Sequence, residues 1–375
     1  MQSRRLFWLL LVLFLTSCTL SAVPTPTATS NVIASVTLTA SLTHTAIPTS
    51  TFTLPPAPTR TPTPTHNLSP TASVYLDSAL TIMQVRSINR YQIDWNRMRS
   101  EAYTLANGAQ TPGDTYNAIR VVLAKLGDRH SFFSPPAELT PPVGGEPAET
   151  PLPGGELLEN RIGYVFLPGF SGAGEAADKY AVAAQQSIDE IDTAQPCGWI
   201  VDLRQDTGGN MWPMLAGIGP LLGEDRVGAF VYPDAQQQIW YYINGQVRLD
   251  EELVFAVNAE SSQQLARSMP LVAVLTGHST ASSGEAIVVA FRGRPMTRSF
   301  GEETAGRSTS NQGFELSDGA IIALTVAVFA DRKGQTYGSK IVPNQIVDRG
   351  TQSDDYVIKA AIEWLLKQPA CIGKS

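Results

Sequence analysis

The chain has 375 residues, 43% of them apolar and 16% charged, enough for one large or two modest domains with a substantial core. Its formal net charge of −7 argues against a nucleic-acid binder, which carries a basic patch. No heptad array and no internal repeat of about 20–50 residues is visible.

The chain opens on a targeting segment, residues 1–18. Arg4 and Arg5 form a basic start and Leu6 to Leu15 a short apolar run, too short for an ordinary membrane-spanning helix. It ends in Leu15-Thr16-Ser17-Cys18, which resembles the lipobox of bacterial lipoproteins, whose cysteine is lipidated. The other reading is an ordinary secretory signal that happens to contain a cysteine. Residues 19–71 are rich in Thr, Pro, Ser and Ala with no Asp, Glu or Lys, and Arg60 is the only fixed charge. Such a segment buries too little apolar surface to offset its ordering entropy, so a disordered tether is expected, biased toward polyproline II at about 3.1 Å per residue. Beyond Cys18 only Cys197 and Cys371 remain; in an exported domain they are free to pair, but sequence alone leaves that open.

Folding signals begin near residue 72. Leu76, Ala79, Leu80 and Met83 recur at helical spacing, and a second helix is expected from Thr111-Pro112 with Ala118, Ile119, Val122 and Leu126 as its stripe and Gly127 as its stop. Residues 72–133 therefore read as a small helical unit, and the Pro/Gly-rich residues 134–156 as a connection. In residues 157–375 the runs "RIGYVFL", "GWIVDL", "LVAVLT" and "IIALTVAVF" alternate with helix-like stretches at 174–194, 211–222, 283–292 and 354–367. Strands alternating with helices predict an α/β domain with a substantially parallel sheet, whose chemistry lies at the carboxyl ends of its strands. Three polar segments fall there: 202–210, 277–285 and 301–312.

Within "TASSGEA", Ser282 and Glu285 have capping-box spacing, so a helix start is one reading and a nucleophile at a strand-to-helix elbow the other. A hydroxyl at that place gains from the helix N-terminus, and the Ser283 N–H faces the same region as a candidate oxyanion donor. Gly208-Gly209 in "DLRQDTGG" allows close backbone approach and offers a second donor; no Lys or Arg closes that loop as in a phosphate-binding loop. The folded part has two histidines. His278, four residues before Ser282, reads as a surface residue; His130 in "LGDRHSFF" is either an exposed loop histidine or a general base.

Together "TASSGEA", "DLRQDTGG", "LGDRHSFF" and "GEETAGRSTSNQG", in the family's order along the chain, resemble the tail-specific, or C-terminal-processing, serine peptidase family over about residues 75–350. The resemblance implies a crotonase-like ββα core behind the helical unit, Ser282 as nucleophile, and Ser283 with Gly208 and Gly209 as the oxyanion hole. Two departures matter. The processing-protease branch places a lysine base twenty-five residues after the serine; here that residue is Arg307, whose guanidinium does not deprotonate near neutrality. The tricorn-core-like branch uses a histidine of the N-terminal unit, which His130 matches, but that branch's downstream glutamate has no counterpart, so Asp128 and Glu285 stand as candidates for the supporting group. Residues 134–156 also leave no room for a PDZ module. The expectation is an extracytoplasmic, lipid-anchored serine peptidase acting on peptides or proteins, with Arg307 free to bind a substrate carboxylate and no metal or cofactor implied. The alternative on the same fold is a non-catalytic lipoprotein binding a peptide or an apolar ligand. An esterase shares the nucleophile chemistry, though no Gly-x-Ser-x-Gly elbow is present.

Overall fold

The structure, a computed structural model, describes residues 66–139, 151–257, 265–351 and 354–372. The expected signal, Cys18 and nearly all of the expected tether lie outside the described residues. The described residues fall within one contiguous unit, Thr63–Ser375.

The helical part begins with α1 (Pro70–Arg86), capped by Ser69, whose hydroxyl accepts the Ala72 N–H at 3.1 Å, with proline in its first turn. Its predicted stripe of Leu76, Ala79, Leu80 and Met83 is fully buried. A helix the periodicity did not reveal follows, α2 (Trp95–Leu105), which buries only Met98 and Ala102. The expected helix at Thr111-Pro112 starts as a 3-10 turn (Pro112–Thr115) before α3 (Tyr116–Lys125). Strand β1 (Phe132–Ser134) then leaves the helices to pair with the core, and a single helical turn, α4 (Pro136–Leu139), closes the segment.

The core runs β2 (Gly154–Leu158), β3 (Ile162–Phe166), α5 (Glu175–Asp192), β4 (Gly198–Asp202), α6 (Met211–Leu222), a meander of β5 (Asp225–Val231), β6 (Gln237–Ile243), β7 (Gln246–Leu249) and β8 (Glu252–Ala256), then β9 (Val272–Thr276), α7 (Ser283–Phe291), β10 (Thr297–Gly301), β11 (Thr309–Glu315), β12 (Ile321–Ala330), β13 (Gln345–Ile346), the short ladder β14 (Gly350–Thr351) with β15 (Asp354–Asp355), and α8 (Tyr356–Leu366). One sheet has the order β13-β10-β9-β4-β3-β2, parallel except for β2 against β3. Its central strands β4 and β9 are buried at every residue, as a parallel sheet covered on both faces requires. Alternate residues serve different cores. Trp199, Val201, Val272 and Val274 pack with α5, α6 and α7, while Ile200, Ala273 and Leu275 pack with Val357, Ala361 and Leu365 of α8.

The second sheet corrects an expectation. "IIALTVAVF" is β12, and β12 is the hub of an antiparallel sheet, pairing with β11 along one edge and with β1 and β5 along the other. Every residue of β12 except Ile321 and Val328 is buried, so it lacks the polar alternation that marks a half-exposed antiparallel strand and reads like a parallel one. The pairing Phe132↔Ala323 stitches the helical part to this sheet and sets His130 two residues from the junction. Cys197, just before β4, is disulfide-bonded to Cys371 beyond α8, which resolves a pairing the sequence left open.

Candidate active site

The turn after β9 is held from below. Gly277 N–H donates to Thr280 Oγ1 at 3.0 Å, that hydroxyl donates to the Leu203 carbonyl at 2.8 Å, and Ala281 N–H donates to the Asp206 carbonyl at 3.0 Å. The chain then turns sharply into α7 at Ser282, which sits at φ 52°, ψ −114°. A serine in that region of backbone space is strained and persists only where its surroundings over-determine it. Here the main restraint is Glu285, which is wholly buried. Its Oε2 accepts the Ser282 N–H at 3.0 Å and the Arg307 N–H at 2.7 Å; its Oε1 accepts Thr304 Oγ1 at 2.5 Å and the Gly306 N–H at 3.0 Å. Burial raises the Glu285 carboxyl above its usual range, and these four donors oppose that shift. Glu285 thus ties the elbow to residues 304–307; among the described residues it makes no hydrogen bond to the His130 ring.

Gly208 lies directly against the elbow. A Cβ there would stand 2.8 Å from both Ser282 Cβ and the Ala281 carbonyl, and the residue adopts φ +97°. Its N–H is directed to Asp206 Oδ1 at 2.9 Å. Gly209 bridges to Phe170 on one side, and its carbonyl accepts the Ser283 hydroxyl at 2.6 Å on the other. Ser283 N–H belongs to the first turn of α7, whose amides lack intrahelical acceptors. Of the expected oxyanion donors, Ser283 and Gly208 lie against Ser282, with the Gly208 amide engaged by Asp206, and Gly209 follows in the same turn. Asp206 is wholly buried, its Oδ2 has no partner among the described residues, and burial pushes its carboxyl up to about 7.

His130 is anchored at three points. Its Nδ1 lies 2.8 Å from Thr309 Oγ1, its N–H donates to Asp128 Oδ1 at 3.0 Å, and its carbonyl accepts Asn311 Nδ2 at 2.7 Å. Asp128 also accepts the Ser131 N–H, the Ser131 hydroxyl and the Thr325 hydroxyl at 2.6 to 2.9 Å. It holds the backbone turn that carries the histidine, and Thr309 is the residue that touches the ring. Burial, and then the Arg307 cation, push the imidazole down to about 4 against the opposing pull of Asp128. The shift favours the neutral ring, and in the tautomer that directs Nδ1–H to Thr309 its Nε2 is a proton acceptor.

One loop connects the two halves: 304–307 is fixed by Glu285 beneath Ser282, and Thr309 holds His130. A cavity of about 450 Å³ opens there, lined by Asp128, His130, Ala305, Gly306, Thr309 and Lys340 among others. Among the described residues no hydrogen bond joins His130 to Ser282. His278, on the surface as expected, has its Nδ1 3.2 Å from the Glu303 carbonyl. Sequence reasoning did not single out Thr309, Asp206 or Asn311, although all three lie inside the polar segments placed at strand ends.

The sequence profile of peptidase family S41 matches residues 161–347, a span that contains Ser282, Gly208, Gly209, Glu285 and Arg307 but not His130. The chain is 24% identical over 303 residues to the nisin-resistance protein of Lactococcus lactis, covering 80% of this chain and 88% of that one. It is 29% identical over 222 residues to a carboxyl-terminal-processing protease of Synechocystis, covering 57% of this chain but only 46% of that relative. A solved lipoprotein from Streptococcus agalactiae shares the fold, with a TM-score of 0.63 at 23% identity over 80% of this chain and 98% of that one.

Proposed function

The chain belongs to peptidase family S41, and from that membership we propose that it is an extracytoplasmic, membrane-tethered serine peptidase using Ser282 and His130. Nε2 of His130 takes the Ser282 proton as Oγ attacks a peptide carbonyl. The tetrahedral oxyanion is held by the Ser283 N–H and the Gly209 amide, the Gly208 N–H being directed to Asp206, and losing one such donor typically costs about 10²–10³ in rate. The imidazolium then protonates the departing amine, and water admitted to the acyl-enzyme is activated by the same ring. The observation that carries the reading is the strained Ser282 elbow, pinned by Glu285 to the loop that also positions His130 through Thr309.

Residues 19–71 would serve as the spacer from a lipid on Cys18. The Cys197–Cys371 disulfide supports an oxidising compartment outside the cytosol. Among the described residues no helix is long and apolar enough to cross a membrane. The nisin-resistance relative makes nisin the first substrate to try. A second reading, a binding lipoprotein without turnover, draws on Arg307 standing where the processing branch has its lysine. Peptide hydrolysis by the purified full chain separates the two: Ser282→Ala and His130→Ala should each lose activity by about 10³-fold or more. Wild-type turnover in both variants would remove these residues from the mechanism.

A further inference from the structure

The glycine loop rests on a carboxyl that the proposed mechanism leaves unused. Asp206, just beyond β4, is wholly buried, and its two oxygens have unequal surroundings. Oδ1 accepts the Gly208 N–H at 2.9 Å, while Oδ2 has no partner among the described residues. The carboxyl is wedged under the first turn of α7: a Cβ on Gly284 would stand 2.8 Å from Asp206 Cγ and 3.0 Å from Oδ1. Its backbone carbonyl accepts the Ala281 N–H at 3.0 Å, so one residue braces the glycine loop and the elbow together. The Gly208 carbonyl accepts the Phe170 N–H at 2.9 Å, and with the Asp206 contact this fixes the peptide planes on both sides of Gly208. The next amide, the Gly209 N–H, makes no hydrogen bond among the described residues and stays available to an oxyanion.

Nothing nearby compensates a charge on Asp206. Arg204, two residues earlier, is engaged by Asp202 and Asp355. Tyr180 of α5, raised first by burial and then by the Asp206 charge, donates its hydroxyl to the Pro168 carbonyl at 2.7 Å. Glu285, the residue after Gly284 on α7, is spent on its own four donors. A buried carboxylate with a single amide donor is poorly solvated, and burial pushes this one up to about 7 against the pull of the Gly208 N–H.

We propose that Asp206 is the positioning residue of the oxyanion loop, and that the loop supports turnover while the Asp206 carboxyl is neutral. With its proton on Oδ2, the carboxyl still accepts the Gly208 N–H through Oδ1, so the turn keeps its shape. As a carboxylate it sets negative charge beneath the amides that must receive the oxyanion, and it competes with that oxyanion for the positive end of α7. The penalty falls on the charged tetrahedral state and not on the bound, neutral peptide, so it is read in kcat and not in KM. Asp206 touches neither the substrate nor the reacting atoms and exchanges no proton with them. The inference rests on the peptidase reading, but it can fail while that reading stands.

The test is the pH dependence of kcat for an uncharged peptide cleaved by the full chain, in the wild type, Asp206→Asn and Asp206→Ala. Wild-type kcat should fall by about tenfold as pH rises through neutrality, with KM little changed. Asp206→Asn is neutral at every pH and still accepts the Gly208 N–H, so it should keep the acid-side rate within about threefold and hold it across the range. Asp206→Ala loses the acceptor as well; it should turn over about tenfold more slowly on the acid side and also lack the alkaline fall, so either variant decides. A merely structural role would lower the rate at all pH values and leave the shape of the profile unchanged. Wild-type kcat without an alkaline fall, or a fall that persists in the variants, would overturn the inference and leave the peptidase reading intact. A wild type that cleaves no peptide at any pH would end both.

Discussion

His130 is pressed toward its neutral form by burial and by the Arg307 cation, while Asp128 pulls the other way. A general base must be neutral to act, so kcat/KM on an uncharged peptide should rise with pH through the imidazole's titration. The sign of one change follows directly. Arg307 lowers the imidazole, so Arg307→Gln should move that acid limb to higher pH, and Arg307→Lys, which keeps the charge, should restore most of its position; a limb that stays fixed in Arg307→Gln would mean that the limb belongs to another group. Ser282 and His130 could be singled out as candidates because each sits in a short recognisable motif. Thr309, the partner of the ring, was not: it lies 179 residues from His130, and a lone hydroxyl on a strand carries no local pattern.

The elbow between β9 and α7 depends on what lies beneath it. Gly208 leaves the space that Ser282 and the Ala281 carbonyl occupy, and its φ of +97° disfavours any side chain. Gly208→Ala should therefore displace Ser282 and its oxyanion donors together. We expect a fall in kcat of about 10²-fold or more, with a stability loss of about 1–3 kcal/mol readable from denaturant unfolding. Unchanged turnover in a protein confirmed to carry the substitution would show that the glycine loop does not govern the nucleophile. The helix α1 was readable in advance because its apolar stripe faces one core, and α6 and α7 because each follows a buried strand and a polar turn. The meander β5–β8 was not: its strands mix exposed and buried positions with a shifted register in two of the pairings, so neither a period of two nor a continuous apolar run stands out. For β12 burial hid the direction of pairing; helix α2 was missed because only two of its residues are buried.

At the scale of the whole molecule, the proposed active site is a joint between parts far apart in sequence. The parallel sheet supplies Ser282, the proposed nucleophile, and the glycine loop at the carboxyl ends of β9 and β4, where such sheets place their chemistry. The antiparallel sheet supplies Thr309, and through β1 it fixes the segment that carries His130. The α/β class and the order of motifs were readable from sequence, whereas this second sheet and the disulfide are tertiary facts with no local trace. The central claim is that an imidazole from the helical part activates a hydroxyl of the core. It is tested most directly by fluorophosphonate labelling of the full chain at neutral pH, with the modified residue mapped by mass spectrometry. The account predicts a label on Ser282 that forms at least about 10²-fold more slowly in His130→Ala. Labelling of Ser282 at the same rate with and without the imidazole, or folded wild-type protein that takes no label, would contradict it.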